Sequence, residues 1–235
     1  MTSRIAVLAS GGGSNLQAIL EYFDQLGDRR AGEVVLVASD RESAGALVRA
    51  RSRGIAAVEL ENRARTGGGG MPLARVLAEH SIDLVVLAGY LRLVPVDVVR
   101  RYDGRMINVH PALLPGFGGP GMYGLRVHQA VLDAGARVSG VTVHHVSEEF
   151  DRGAIIAQWP VPVLSGDDAH SLAARVLRVE HVLFPRIINA VAAGRITAAL
   201  PLGGGGPAAG THFAFTLSPR GDECLVADVE RLING

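Results

Sequence analysis

The sequence predicts an α/β fold: a mostly parallel, twisted sheet of about seven strands flanked by helices, Rossmann-like in its N-terminal half. Three observations predict it. Short apolar runs alternate with stretches of helical period from residue 4 to residue 110. The runs are apolar throughout, as strands buried on both faces are. The connections between them are short, as in βαβ units.

Residues 4–9 (RIAVLA) read as the first strand. A Gly-rich turn, Ser10 to Asn15, leads to a helix from Leu16 to about Leu26. Residues 33–38 (EVVLVA) form the next strand, followed by a helix over about 42–53. A short strand at 55–60 precedes a polar, Gly-rich loop at 62–70, in which Gly67–Gly70 reads as mobile. A helix over about 71–80 leads to the strongly apolar strand 83–88 (DLVVLA). A short helix at 95–101 feeds a fifth strand near 105–110.

The pattern then changes. A loop rich in Pro and Gly covers 111–123, and a helix follows over about 124–134. Residues 138–146 and 154–163 read as two strands joined by Ser147 to Gly153, a hairpin-like and hence antiparallel pair. The longest helix pattern spans 168–193, with Leu172, Val176, Val179, Leu183 and Ile187 on one side and Asp167 or Asp168 as its cap. Residues 198–235 read as an extension to a single domain at 1–197, with a strand-like stretch at 211–217 and a short strand or helix at 224–233 after the Gly203–Gly206 run. Within the domain, 1–104 reads as a mononucleotide-binding half and 105–197 as the catalytic half.

Composition narrows the chemistry. The 235 residues are 48% hydrophobic with zero formal net charge, which points away from nucleic acid and anionic membranes. No apolar run approaches the roughly 20 residues needed to cross a bilayer. The N-terminus runs directly into a strand without a signal-peptide pattern, and Cys224 is the lone cysteine. Both features predict a cytoplasmic protein without an intramolecular disulfide. The chain contains no lysine; all 23 basic residues are Arg. Schiff-base and Walker-type lysine chemistry are therefore excluded.

Three segments carry candidate chemistry. Gly11, Gly12 and Gly13 permit close backbone approach, and Ser14 and Asn15 open a helix whose free N–H groups suit a phosphate. The spacing is not GxGxxG, because position 16 is Leu, so a mononucleotide phosphate fits better than a dinucleotide. In INVHPALLP (107–115), Asn108 and His110 are two apart at a strand end and project to one face. In His144 to Gly153, Asp151 precedes an apolar strand and can turn inward to orient an imidazole. His110, His144 and Asp151 are an alternative metal set, but no tight ligand spacing accompanies them, and no metal is expected.

Together these segments resemble the glycinamide ribonucleotide formyltransferase family. The resemblance runs from about residue 4 to 196 through SGGGSNLQAI, LAGYLRLVP (87–95), INVHPALLP, GMYGLRVHQAVL (121–132), SGVTVHHVSEEFDRGAIIAQ (139–158) and ARVLRVEHVLFP (174–185), in order and in register. It implies that Asn108, His110 and Asp151 are catalytic, that Gly11 to Asn15 hold the substrate phosphate, and that Glu180 contacts the ribose. It places the folate pocket on Leu87, Leu91, Arg92, Leu93 and Val94, with Val146 and Ser147 from the later loop. The implied reaction is formyl transfer from 10-formyltetrahydrofolate to the amine of glycinamide ribonucleotide in purine synthesis. The implied partners are these small molecules, with the protein a monomer or homodimer.

The chain departs from the family pattern at four places: the Gly-rich 62–74 stretch, Pro120, Leu177 and the 198–235 tail. These bear on the acceptor and the periphery, not on the trio. The alternatives are a formyltransferase acting on another amine, a formyltetrahydrofolate hydrolase, and a binding module without catalysis. In the expected chemistry a protonated His110 and Asn108 donate to the oxyanion, while Asp151 relays the amine proton.

Overall fold

The computed structural model describes residues 2–60 and 72–196. The Gly67–Gly70 loop, the extension at 198–235 and Cys224 lie outside the described residues. The elements run β1 (Ser3–Leu8), α1 (Ser14–Leu26), β2 (Gly32–Ser39), α2 (Gly45–Ser52), β3 (Ala56–Glu59), α3 (Leu73–Glu79), β4 (Leu84–Leu87), α4 (Val96–Arg101) and β5 (Met106–His110). The second half continues with α5 (Leu125–Asp133), β6 (Val138–His145), β7 (Ile155–Pro162) and α6 (Ala169–Ala192).

Among the described residues the strands form one seven-stranded sheet in the order β3-β2-β1-β4-β5-β6-β7. Pairing is parallel from β3 to β5, while β6 is antiparallel to β5 and β7 to β6. The expected fold and the hairpin-like pair are both found. The order reverses between β1 and β4, so the connections leaving their carboxyl ends run in opposite directions and open a crevice.

Alternation along each strand sends side chains to two cores. Ile5, Val7, Val86, Ile107 and Val109 pack with residues of α1, α2, α5 and α6. Ala6, Leu8, Val85, Leu87 and Met106 pack with α3 and α4. The α6 stripe is buried as its spacing predicts: Leu172, Val176, Val179, Leu183 and Ile187 are all 2% exposed or less. Each such side chain contributes roughly 1.5–3 kcal/mol of hydrophobic stabilisation. Asp168 is the N-cap, accepting from Ser171 N–H in a capping box. Its neighbour Asp167 instead takes two hydrogen bonds from Arg175, at 2.7 and 2.8 Å.

Two features of the helices have local causes. α1 starts at Ser14, two residues early, because Gly13 adopts φ 76° and caps the helix directly. α6 continues through Pro185, which is buried against the core. Packing on both sides of that turn outweighs the hydrogen bond that a proline cannot make. At the sheet edge, β7 carries Pro160 and Pro162 while keeping register with β6, opposite Gly140 and Val138.

Candidate active site

β5 ends with Ile107 and Val109 turned into one core and Asn108 and His110 turned to the other face. Asp151 reaches them from the loop between β6 and β7. Its backbone lies at φ 54°, a left-handed conformation that costs a non-glycine residue roughly 1 kcal/mol and is least strained for Asp and Asn. There its carboxylate sits 3.5 Å from His110 Nδ1 and 3.5 Å from Asn108 Nδ2. Gly119 N–H donates to it at 2.9 Å. A side chain at Gly118 would strike Leu114 and press on Asp151.

The loop after β5 is pinned from β6 and β7. Thr142, fully buried, donates to the Ala112 carbonyl at 2.6 Å and accepts from Leu114 N–H at 3.0 Å. Gln158 donates to the Leu114 carbonyl at 2.8 Å. The Leu114–Pro115 bond within it is cis. This anchoring delivers the Phe117 carbonyl to His110 Nε2, 2.8 Å away, and the Gly119 N–H to Asp151.

These contacts set proton positions. A carbonyl can only accept, so His110 carries its proton on Nε2 and turns Nδ1 to the carboxylate. Burial lowers the His110 pKa below the ordinary value, against the opposing pull of Asp151 and the Phe117 carbonyl. Burial thus favours the neutral ring, and the carboxylate beside Nδ1 the charged one. At Asp151, burial pushes the carboxyl up. The His144 ring, His110 and the Gly119 N–H outweigh it and hold the carboxyl below its ordinary value. His144 was not expected beside Asn108. Its Nδ1 donates to the His145 carbonyl at 2.8 Å, leaving Nε2 to accept from Asn108 Nδ2 at 3.1 Å. The β5–β6 register sets Asn108 opposite His144.

These residues form one wall of a cleft of about 210 Å³. Leu87, Leu91, Arg92, Leu93, Val94, Val146 and Ser147 line the same cleft, together with Asn108, His110, Asp151, Asn15 and Glu180. Leu87 and Val94 are buried in its wall, and Leu91 and Leu93 stand exposed at its rim. Ser10 holds this segment in place: it donates to the buried Asp40 at 2.6 Å and accepts from Leu91 N–H at 3.0 Å. Tyr90, within the Leu87–Val94 segment, and Phe150, in the loop after Val146, also line the cleft, as do Met122 and Tyr123, which were not expected there. Their signal in the sequence was only their nearness to the motifs. Gly11, Gly12, Gly13 and Ser14 do not line the cleft; they form the loop beside Asn15.

Asn15 joins the two ends of the chain. It lies at the start of α1, and its Nδ2 donates to Glu180 of α6 at 2.6 Å. Burial pushes the Glu180 carboxyl up to about 7, against the hydrogen bond from Asn15. No group of three or more His, Cys, Asp or Glu among the described residues has an arrangement that could hold a metal ion.

Residues 3–188 match the model of the formyl transferase family. The chain belongs to the formyl transferase family. It is 43% identical over 196 residues to the chloroplastic phosphoribosylglycinamide formyltransferase of Arabidopsis thaliana, covering 82% of this chain and 66% of that one. It is 38% identical to the trifunctional purine biosynthetic protein adenosine-3 of Bos taurus, covering 83% of this chain and 19% of that one. The chain thus spans less than two thirds of the length of these formyl transferase relatives. Among solved members, glycinamide ribonucleotide transformylase 1 from Symbiobacterium toebii superposes with a TM-score of 0.75 at 39% identity, covering 85% of this chain and 94% of that one. Membership of the formyl transferase family implies a folate-type formyl donor. No helix among the described residues is long and apolar enough to cross a membrane.

Proposed function

We propose that this formyl transferase moves a formyl group from 10-formyltetrahydrofolate to the amine of glycinamide ribonucleotide, a step of purine synthesis. One observation carries the reading. Asn108, His110 and Asp151 line a single cleft together with the Leu87–Val94 segment and with Asn15 and Glu180. Donor and acceptor then meet over the trio. The names of the relatives support this pairing of substrates.

The residues take roles from that geometry. Leu87, Leu91, Arg92, Leu93 and Val94, with Val146 and Ser147, hold the folate. Gly11 to Asn15 hold the acceptor phosphate, and Glu180 accepts from the ribose hydroxyls. The amine attacks the formyl carbon and gives a tetrahedral oxyanion, to which Asn108 Nδ2 donates. Neutral His110 takes the amine proton on Nδ1 and passes it to the departing folate nitrogen as the C–N bond breaks. Asp151, ionised beside it, stabilises the imidazolium formed on the way. Holding both substrates in line supplies much of the rate. No metal takes part in this scheme.

The same reading divides the chain into a mononucleotide-binding half at 1–104 and a catalytic, folate-binding half at 105–197, with the protein acting as a monomer or homodimer. The single cysteine supports a reducing compartment such as the cytoplasm. The deciding assay follows folate release from 10-formyltetrahydrofolate with and without glycinamide ribonucleotide. Release that depends on the ribonucleotide, with one formyl group gained per folate released, supports the proposal. Release without any amine would instead identify a hydrolase.

A further inference from the structure

Arg49 lies on α2, next to the Gly11–Ser14 loop. Its Nε–H donates to the Gly12 carbonyl at 2.8 Å, and its Nη1 to Gln17 Oε1 at 3.1 Å. Three residues earlier on the same helix, Ala46 N–H donates to the Gly11 carbonyl at 3.1 Å. Helix α2 therefore holds two consecutive loop carbonyls. In a trans peptide unit the C=O and the following N–H point in opposite directions. Drawing the Gly11 and Gly12 carbonyls toward α2 turns the N–H groups of Gly12 and Gly13 away from it. Gly13 adds a left-handed step, φ 76°, before the first turn of α1. Successive N–H groups in such a turn form a concave nest that binds anions.

Two further observations point to a ligand. Among the described residues, the backbone N–H groups of Gly12, Gly13 and Ser14 find no backbone acceptor. Beside them Asn15 is only 8% exposed, lines the cleft, and has an Oδ1 with no partner, an acceptor that a hydroxyl of the phosphorylated ligand can meet. Helix α2 packs closely on the loop, since a side chain at Gly45 would come within 3.1 Å of the Gly12 backbone.

We propose that Arg49 is a positioning residue for the acceptor phosphate. It shapes the nest through the Gly12 carbonyl and adds a positive charge behind it, without lining the cleft. In a chain without lysine, a guanidinium supplies that charge, and its fork lets one side chain brace both Gly12 and Gln17. The inference rests on the ribonucleotide reading above.

The test compares wild type, Arg49→Met and Arg49→Lys on glycinamide ribonucleotide and on its dephosphorylated nucleoside. Arg49→Met raises KM for the ribonucleotide about tenfold, the size of one lost charge-assisted contact. It changes kcat and the folate KM by less than about twofold, and leaves kcat/KM for the nucleoside unchanged. Arg49→Lys recovers part of the loss, because an ammonium keeps the charge but not the fork. An unaltered ribonucleotide KM in Arg49→Met overturns the proposal. Equal losses on ribonucleotide and nucleoside also overturn it, because they report a damaged scaffold. Full recovery in Arg49→Lys removes the shaping role. A wild-type enzyme inactive on the ribonucleotide would sink the proposed function instead. Calorimetry with inorganic phosphate, wild type against Arg49→Met, would still decide the role of Arg49.

Discussion

The wall of the cleft that carries Asn108, His110 and Asp151 and the Gly11–Asn15 loop beside the cleft are built on opposite plans. At the catalytic wall, Asn108, His110, His144 and Asp151 already face one another, and the Phe117 and Gly119 backbone groups meet them. At the Gly11–Asn15 loop, the backbone donors and Asn15 Oδ1 stand open. A wall satisfied before substrate arrives is preorganised for a charge that develops during reaction. A loop left open is completed by its ligand. Changes at the wall should therefore act on kcat, and changes at the loop on the acceptor KM.

The strongest way to break this contrast is Asp151→Asn. It removes the charge that balances protonated His110 and should lower kcat by about a thousandfold, with the acceptor KM within a few-fold. Steady-state kinetics that show mainly a KM effect would merge the two regions. Next comes Gly118→Ala, whose new methyl lies 3.2 Å from Asp151 Cβ and strikes Leu114. We expect kcat to fall about tenfold or more with the acceptor KM held, since small displacements of a reacting group are costly. An unchanged kcat would show that the loop gives way freely.

Glu180 sharpens the contrast through pH. Its carboxyl titrates at about 7, so the acceptor KM should fall as pH rises through that value and the carboxylate becomes available to ribose hydroxyls. The same group is protonated more readily in the fold than in the unfolded chain. Between its ordinary pKa and about 7 the fold thus holds the extra proton, and stability should fall as pH rises. Glu180→Gln should flatten both trends, read by KM profiles and by melting curves across pH 5 to 8. The smallest effect belongs to Ser14→Ala, a hydroxyl at the open loop. An acceptor KM raised about two- to threefold with kcat untouched is expected.

How far the sequence was legible follows from how local each feature is. Asn108 and His110 could be placed because strand alternation alone turns them to one face. The α6 stripe was readable for the same reason at helical period. Asp151 was readable as a carboxylate able to turn inward, but not its left-handed backbone, which depends on the loop folding against Gly119. His144 appeared in the sequence only as a possible metal ligand. Its contact with Asn108 needs the β5–β6 register. Thr142, Gln158 and Arg49 gave no local signal, since each acts on backbone groups remote in the chain. The balance at His110 between burial and the Asp151 charge was not readable, because depth of burial is revealed by no spacing.

The prolines of β7 bear on how copies of this chain meet. A proline within a sheet keeps its register only where its missing N–H faces outward. Pro160 and Pro162 thus strip two donors from the row that an incoming strand would need, and among the described residues the opposite border is the four-residue β3. Runaway stacking of sheets, the usual hazard of an exposed border, is obstructed at one side and has a short foothold at the other. Crowded expression should tolerate this protein well for a reason that has nothing to do with its chemistry.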